Sequence, residues 1–373
     1  MHVALNLAFL TPAEMGGLEV YARRLTEALA RRGDVRLSLL LPSPALEDDT
    51  WGELGGIVTL PVDAHRRTQW VIADQLHAPR AAARAGAELL HSLASTGPVS
   101  GSVPRVVTIH DLNYREQPKA HFGLRGLGMR MLVPAAARRS RRVITPSHAT
   151  ADAVAGHLGV NRERIDVVPE AAGYAPGAPA QTREEVRADV GAGERPLLLT
   201  VSAKRPHKNL RRLLAALALV DAGRRPVLVL PGYPTPHECE LRARADELGI
   251  AGDVRFFGWV SDTQLEDLYR AADAFVFPSL AEGFGLPVLE AMARGIPVAT
   301  SGRTSLAEVA GDAALLFDAD DERSLATAIE RLLYEPGLAE RLAAAGRERS
   351  ARFTWEATAA GTIASYRRAL GAE

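Results

Sequence analysis

Two glutamates, Glu282 and Glu290, flank a glycine-containing loop in the segment SLAEGFGLPVLEAMARGIPV (279–298). Gly283 and Gly285 have no Cβ atom, so a ligand can approach the backbone closely at both positions. A carboxylate accepts hydrogen bonds from two hydroxyl groups well, and the adjacent hydroxyls of a ribose or a hexose supply such a pair. The pattern therefore points to sugar recognition, although a solvated Glu282 and an ordinary helical Glu290 would fit the two acids equally well.

The same segment predicts a helix that begins at Pro287, because proline fits the first helical position. The N–H groups of Gly285, Leu286 and Val288 would then be free at the N-terminus of this helix, where the helix dipole favours an anion such as phosphate. Glu290 would lie in the first helical turn. A sugar joined to a nucleoside diphosphate satisfies both halves of the pattern, with its phosphates on the helix and its hydroxyls on the glutamates.

Positive charge for a diphosphate is available in the segment SAKRPHKN (202–209), which follows a predicted strand and precedes a predicted helix. Lys204, Arg205 and Lys208 could neutralise the phosphates without a metal ion; a solvated basic turn is the alternative. No Asp-x-Asp element ends a strand in this half of the chain, and DADD (318–321) is typical of an acidic turn. The sequence therefore does not indicate metal-ion catalysis.

A framework of strands and helices must position these motifs, and the chain alternates short apolar runs with amphipathic stretches. Continuous Val, Ile and Leu runs predict parallel strands that are buried on both faces, and helical crossovers between them give a doubly wound α/β fold. In such sheets ligands bind beyond the carboxyl ends of the strands. The predicted strands are 2–10, 35–41, 88–93, 105–111, 141–147, 196–203, 226–232, 254–260, 274–279, 297–301 and 313–318.

Two Rossmann-like domains facing each other across a cleft are the simplest architecture for 373 residues. An Ala-, Gly- and Pro-rich stretch from about 170 to 196 predicts a linker that contains a short helix, TREEVRADV (182–190). The tail from 324 to 370 is predicted to be helical except for one break near YEPG. The expected domains are an N-terminal domain at 1–175, a C-terminal domain at 176–355, and a final helix at 356–373 that packs back on the N-terminal domain.

The overall composition excludes several classes of protein. A formal net charge of −1 argues against general nucleic-acid binding, which needs a basic excess. The single cysteine, Cys239, excludes an internal disulfide and a cysteine-based zinc site, and we expect no cofactor. The start MHVALNLAFL has no basic signal-peptide region, and no apolar run reaches the length of about 18 residues that suggests a membrane span, so we expect a cytoplasmic protein.

Five motifs follow one another along the chain. They are GGLEVYARRL (16–25), TIHDLNY (108–114), TPSHATADAV (145–154), the HKN turn (207–209) and EGFGLPVLEAMARGIPV (282–298), in which seven residues separate the two glutamates. Together they resemble the motifs of the family 4 retaining glycosyltransferases. The resemblance covers nearly the whole chain, and the last motif is the most specific. It implies the GT-B fold, with a first domain for the acceptor and a second for the nucleotide sugar.

The resemblance also implies roles for individual residues, and His110, Glu282 and Lys208 are the candidate catalytic residues. Glu282 would hold hydroxyls of the donor sugar, Glu290 the nucleotide ribose, and Lys208 the diphosphate. His110 would lie at the sugar, close to the reacting centre; alternatively it only ends a strand. Further residues expected to line the donor site are Gly16, Gly17, Arg205, Gly232, Val260, Gly283, Phe284, Gly285 and Leu286.

Two positions depart from the family pattern. Many members carry an arginine five residues before the lysine, where this sequence has Ala203; Arg205 would compensate, with Lys204 as the second choice. Many members also have an Asn-Gly pair where Glu170 and an alanine follow Pro169 here. No family role is therefore carried over to that loop.

We expect a metal-independent, retaining transferase that moves a hexosyl unit from a nucleotide sugar to a hydroxyl acceptor in polysaccharide, glycolipid or glycoconjugate biosynthesis. The motifs most resemble those of mannosyltransferases, which favours GDP-mannose over UDP sugars. A non-catalytic sugar-nucleotide-binding subunit or scaffold is the alternative, whereas a Rossmann oxidoreductase is disfavoured because TPAEMGG (11–17) lacks Gly-x-Gly-x-x-Gly. The basic stretch 115–142 is either a solvated helix or a contact for anionic lipid at the inner membrane face, which would suit a lipid-linked acceptor.

Overall fold

The structure is a computed structural model, and it describes residues 1–11, 16–47, 49–116, 123–174 and 176–372. The strands are β1 His2–Asn6, β2 Arg36–Pro42, β3 Gly56–Leu60, β4 Leu89–Ser92, β5 Arg105–Thr108, β6 Arg142–Thr145, β7 Ile165–Val167, β8 Leu197–Leu199, β9 Val227–Leu230, β10 Val254–Phe256, β11 Ala274–Phe277, β12 Val298–Ser301 and β13 Leu315–Phe317. The α-helices are α1 Gly17–Arg32, α2 Arg67–Ile72, α3 Ala78–Arg84, α4 Asn113–Glu116, α5 Gly123–Arg139, α6 His148–Leu158, α7 Arg183–Asp189, α8 Leu210–Leu219, α9 His237–Glu247, α10 Asp262–Ala271, α11 Leu286–Ala293, α12 Ser305–Ala310, α13 Glu322–Tyr334, α14 Leu338–Ser350 and α15 Trp355–Leu370.

The chain divides into two compact units. The first consists of Met1–Gly173 together with Thr354–Glu373, and the second of Tyr174–Phe353. The sheet of the first unit has the order β3-β2-β1-β4-β5-β6-β7, and that of the second has the order β10-β9-β8-β11-β12-β13. All of the paired strands are parallel. In both sheets the strand order reverses beside the first strand, which is the doubly wound arrangement. The predicted α/β fold class is confirmed.

The core of the first unit lies between its sheet and two helices, α1 and α15. Tyr21, Leu25 and Leu29 of α1 recur every four residues, so they share one face, and all three are buried in this core. Ile363 and Tyr366 of α15 belong to the same cluster. A helix from the end of the sequence therefore completes the core of the unit that the N-terminal half of the chain begins.

The core of the second unit has the same construction around its own sheet. Leu210, Leu213, Leu214 and Leu217 of α8 lie at helical spacing and are buried against β8, β9 and β11. The face of α13 that carries Leu325, Ile329 and Leu332 joins the same cluster. These helices fix the carboxyl ends of the strands, where the candidate residues lie.

The sequence-based boundaries were wrong at several elements. The first strand ends at Asn6 rather than at residue 10, and β3 was not predicted at all. This missed strand lies at a sheet edge, where half-exposed residues do not form the continuous apolar run of a central strand. The C-terminal tail has a second break, because the Thr354 side chain accepts a hydrogen bond from the N–H of Ala357 and starts α15.

The basic stretch 115–142 falls partly outside the described residues, which leave out 117–122. At its C-terminal end, the guanidinium of Arg142 is paired with Asp166 inside the first unit. Further back in α5, Met131 is exposed. Over the ranges that the structure describes, none of the helices combines the length and the apolar character needed to cross a bilayer.

Candidate functional site

The glycine loop of the second unit leads from β11 into α11, as the sequence predicted. Gly285 caps this helix with φ 118° and ψ 47°, and a Cβ atom there would lie 2.6 Å from Cδ2 of Leu306. A side chain is therefore excluded at this position both by the backbone and by its neighbour. The helix begins at Leu286, one residue before Pro287, and the N–H of Val288 donates to the carbonyl of Gly285 at 3.0 Å. The expectation that Val288 offers a free N–H was wrong.

Two main-chain donors remain at the start of α11. In the part of the chain that the structure describes, the N–H groups of Gly285 and Leu286 have no acceptor. Both lie at the positive end of the helix dipole. This arrangement can bind a phosphate oxygen, with two donors rather than the three that were predicted.

Lys208 and Glu282 form an ion pair beside this helix end. Nζ of Lys208 lies 2.5 Å from Oε1 of Glu282, and the two side chains are only 16% and 13% exposed. The ammonium also lies 5.3 Å from the ring centroid of Phe277 on β11. The structure thus places a shielded cation and a shielded carboxylate together at the carboxyl ends of β8 and β11. Sequence reasoning explained each of the two residues but did not predict that they pair.

The loop that carries Glu282 is fastened by the start of α12. The N–H of Glu282 donates to Oγ1 of Thr304 at 3.3 Å. The buried hydroxyl of Ser305 lies 2.9 Å from the carbonyl oxygen of Glu282 and 2.8 Å from that of Phe284. Thr304 adopts φ 51° and ψ −137°, a conformation that costs a β-branched residue free energy. Sequence reasoning missed both residues, because neither belongs to a motif with a chemical signature.

Glu290 lies deeper than the sequence suggested. It is the fifth residue of α11 rather than part of the first turn, and its carboxylate is buried. Oε2 accepts a hydrogen bond from the Tyr269 hydroxyl at 2.9 Å. Burial raises the pKa of Tyr269 well above its usual range, and the neighbouring Glu290 charge raises it further, so the hydroxyl keeps its proton and donates. A ribose at Glu290 would share the carboxylate with this tyrosine, which sequence reasoning did not identify.

The two candidates for the missing arginine have different environments. Lys204 is completely buried, and its ammonium donates to the carbonyl oxygens of Gly232, at 2.5 Å, and Phe257. Burial lowers the pKa of Lys204 to about 8. Lys204 therefore holds the ends of β9 and β10 together, whereas the side chain of Arg205 is exposed and has no partner among the described residues. Arg205 is the better candidate for an anion contact.

Gly232 contacts this buried lysine, and Val260 follows three residues after Phe257, the other residue that the lysine contacts. Gly232 has φ 135°, and a Cβ atom there would lie 2.2 Å from the carbonyl oxygen of Ser202. Val260 is half-buried and follows Trp259, which is 52% exposed and lies 4.6 Å from the Tyr233 ring. The described residues contain no group of three or more His, Cys, Asp or Glu side chains that could hold a metal ion.

In the first unit, the glycine pair lies at the start of α1. Gly16 has φ 55°, and its carbonyl accepts from the N–H groups of Glu19 and Val20 at 3.0 and 3.2 Å. A Cβ atom at Gly16 would meet nothing within 4 Å. Glycine is therefore favoured here by the positive φ angle and not by a lack of space. Gly17 is the exposed first residue of the helix. The residues before the pair, 12–15, lie outside the described ranges.

His110 lies just beyond β5, and both of its ring nitrogens are engaged. Nδ1 lies 2.9 Å from Oε1 of Glu170, and Nε2 lies 2.8 Å from the carbonyl oxygen of Leu93. The Tyr21 ring packs edge-on against the imidazole at 4.6 Å. Burial alone would lower the pKa of His110, but the hydrogen bond to Glu170 and its charge outweigh burial and raise it. Glu170 is thus a site residue to which the sequence assigned no role.

Comparison with known proteins covers both units. Residues 15–172 match the model of Glycosyltransferase Family 4, and residues 182–349 match that of Glycosyl transferases group 1. A D-inositol 3-phosphate glycosyltransferase of Frankia alni is 33% identical over 400 aligned residues, which cover 96% of this chain and 95% of that protein. The O-antigen chain mannosyltransferase B of Escherichia coli is 38% identical over 171 residues, which span only 45% of this chain and 45% of that protein.

Solved structures resemble the chain over its whole length. Sucrose-phosphate synthase from Thermosynechococcus elongatus superposes with a TM-score of 0.79 at 24% identity, covering 100% of both chains. Anabaena HepE, in complex with UDP and glucose, gives 0.76 at 19% identity, covering 98% of this chain and 99% of that one. The fold and the matched models define a glycosyltransferase of the GT-B class. Within that class the chain belongs to family 4, the group 1 glycosyl transferases, so the predicted family is confirmed.

Proposed function

We propose that this glycosyltransferase is a retaining, metal-independent enzyme that transfers a hexosyl unit from a nucleotide-diphosphate sugar to a hydroxyl acceptor. The observation that carries the proposal is the shielded pair of Lys208 and Glu282 beside the two donors at Gly285 and Leu286. The ammonium and the N–H groups suit a diphosphate, and the carboxylate suits sugar hydroxyls. A bound donor would replace the contacts that the two ions now give each other.

The proposed reaction is a substitution on one face of the sugar. The bond between the anomeric carbon and the diphosphate oxygen breaks, a bond to the acceptor oxygen forms on the same face, and the acceptor proton passes to the departing diphosphate. Lys208, Arg205 and the N-terminus of α11 would stabilise the negative charge that develops on the diphosphate. His110 would lie at the sugar, and exclusion of water would prevent hydrolysis of the donor.

For the donor we propose GDP-mannose, with the second unit binding it and the first unit binding the acceptor. The similarity to the O-antigen chain mannosyltransferase B supports mannose. HepE was solved with UDP and glucose, which makes UDP sugars the competing donors to test. Glu290 would hold the ribose, with main-chain contacts from Gly232 and Val260. A lipid-linked acceptor and contact with the cytoplasmic membrane face belong to the same proposal, and binding to anionic vesicles at low ionic strength tests them.

A double-mutant cycle distinguishes donor binding from a structural ion pair. Lys208→Met and Glu282→Gln should each lower kcat/KM for the donor by about 100-fold, because each loses a contact to the transition state. Each single variant should also be destabilised, since the partner charge is left buried and uncompensated. The double variant removes both charges, so we expect it to regain thermal stability but not transfer. Arg211→Met and Glu322→Gln, which change exposed charges of the same unit, are the controls.

One outcome of this cycle would contradict the proposal. A double variant that regains both the melting temperature and the transfer rate would show that the pair only stabilises the fold, and the proposal would be wrong.

Thermal shifts of the wild-type protein with GDP, UDP, dTDP and ADP and their sugars, without added metal, identify the donor base. A shift that requires a divalent cation would contradict metal independence.

A further inference from the structure

Glu170, to which the sequence assigned no role, faces the imidazole ring of His110. The carboxylate is buried, and its Oε1 lies 2.9 Å from Nδ1 of the imidazole, whose side chain is 19% exposed. The glutamate follows β7, and the histidine follows β5, so the contact joins two strand ends of the first unit. A buried carboxylate is costly unless it is paired, and His110 supplies the pairing.

The partners of the ring determine where its protons lie. Nε2 lies 2.8 Å from the carbonyl oxygen of Leu93, which can only accept, so Nε2 carries a hydrogen. Nδ1 lies 2.9 Å from Oε1 of Glu170, and this hydrogen bond and the Glu170 charge raise the pKa of the ring against the effect of burial, so Nδ1 carries a hydrogen as well. With both nitrogens donating, His110 is an imidazolium and Glu170 its counter-ion.

The other groups around the ring agree with a positive charge at this position. Asp111, the next residue, adds a second negative charge, and the Tyr21 ring contacts the imidazole with its hydroxyl bonded to Thr108. His91 lies behind them, hydrogen-bonded to Thr108. Burial lowers the pKa of His91 to about 3, and the nearby charge of His110 contributes, so His91 stays neutral. His110 is therefore the cation of this cluster.

We propose that Glu170 is a positioning residue that fixes the ring of His110 and keeps it an imidazolium, so that His110 serves transfer as a fixed positive charge. This inference rests on the proposed function, which places His110 at the sugar. A ring that donates through both nitrogens has no lone pair for a proton, so it does not deprotonate the acceptor hydroxyl. Its fixed charge acts electrostatically instead, and the acceptor proton passes to the departing diphosphate as in the proposed reaction.

Histidine NMR on the full-length chain tests the pairing without reference to activity. The His110 ring signals, assigned with a His110→Gln variant, should keep the doubly protonated pattern at a pH clearly above the ordinary histidine pKa of about 6.5. In Glu170→Gln the carboxylate charge is gone, so the His110 pKa should fall by at least about one unit. Glu53→Gln, an exposed carboxylate of the same unit, should leave it unchanged.

The pH profile of transfer tests the consequence. Because the charged ring is the active form, kcat/KM should decline as pH rises through the His110 pKa, and Glu170→Gln should move this decline to lower pH by the same amount. Melting temperatures across the range identify any loss that comes from unfolding. A His110 pKa that is unchanged in Glu170→Gln overturns the pairing. A shifted His110 pKa with an unshifted pH profile of kcat/KM overturns the role in transfer. The double-mutant cycle on Lys208 and Glu282 tests the proposed function independently.

Discussion

At Gly232, the absence of a side chain allows two loops of the second unit to approach each other closely. Its backbone has φ 135°, and a Cβ atom would lie 2.2 Å from the carbonyl oxygen of Ser202. At the same point, the carbonyl of Gly232 accepts a hydrogen bond from the buried ammonium of Lys204. The loops that follow β8 and β9 approach this closely because the buried ammonium of Lys204 needs main-chain acceptors at short range.

Gly232→Ala should therefore destabilise the second unit by about 3 kcal/mol or more, through backbone strain and overlap with a main-chain atom. The matched control is Gly252→Ala in the same unit, where the added Cβ would meet nothing within 4 Å and φ is not positive. Urea unfolding followed by tryptophan fluorescence measures both variants. Equal midpoints for the two would contradict the expected clash.

At the same scale, the sequence identified site residues better than it identified their partners. Lys208 and Glu282 belong to motifs that can be recognised locally, but 74 positions separate them, and only the fold shows that they meet. Glu170 was noticed because it departs from a pattern, and a pattern cannot reveal which ring a carboxylate will face. Lys204 looked like an anion contact because burial cannot be inferred from a run of basic residues.

Among the elements, α12 has the clearest influence on the candidate donor loop. Its first residue, Ser305, contacts the carbonyls of Glu282 and Phe284, and the residue before it is held in a strained conformation. The hydroxyl has one hydrogen, so it can donate fully to only one carbonyl at a time. The loop conformation that presents Glu282 thus depends on a neighbouring helix rather than on its own residues.

Ser305→Ala should leave these carbonyls without a donor, at a cost of about 1–2 kcal/mol in stability. Because the loop would then adopt several conformations, we expect KM for the donor to rise severalfold while kcat changes less. Ser350→Ala is the control, since that hydroxyl donates to the Arg347 carbonyl of α14 and not to a carbonyl of the loop. Steady-state kinetics with varied donor measure the effect, and an unchanged KM would show that the loop holds its shape unaided.

The element boundaries also show what a single sequence can predict. Central strands such as β1 and β11 were found because both faces are buried and the residues are continuously apolar. The edge strand β3 was missed because its pattern is mostly exposed, so it does not resemble a buried strand. The start of α11 was displaced by one residue, since the left-handed Gly285 is the N-cap and the helix begins directly after it.

On the scale of the whole molecule, Asp166 joins parts of the chain that are far apart in sequence. Its carboxylate pairs with Arg142 of β6, accepts from Ser365 at 2.6 Å and lies 2.9 Å from Arg368. The last two belong to α15, so this carboxylate ties the final helix to the edge of the first sheet. Burial alone would raise the pKa of Asp166, but the hydrogen bonds and arginine charges outweigh burial and lower it.

This lowered pKa predicts how stability depends on pH. A carboxyl group whose pKa is lower in the folded state stabilises the fold above its ordinary pKa of about 4, and the contribution is lost as pH falls through the folded value. Asp166→Asn should thus cost about 2 kcal/mol at pH 7, and the difference from wild type should shrink in acid. Asp152→Asn, an exposed residue paired loosely with Arg162, is the control. Denaturant unfolding at several pH values measures both, and a constant difference would contradict this account.

Because α15 belongs to the first unit, the two units cannot be completed during translation in the order in which they begin. Synthesis delivers 1–173 first, but Tyr366 and Ile363 of its core are made only after the whole of 174–353. The second unit is continuous in sequence and can reach its native contacts as soon as it emerges. The part of the protein that is translated first is therefore the last to be completed, and during that interval its nascent sheet presents an uncovered apolar face to chaperones.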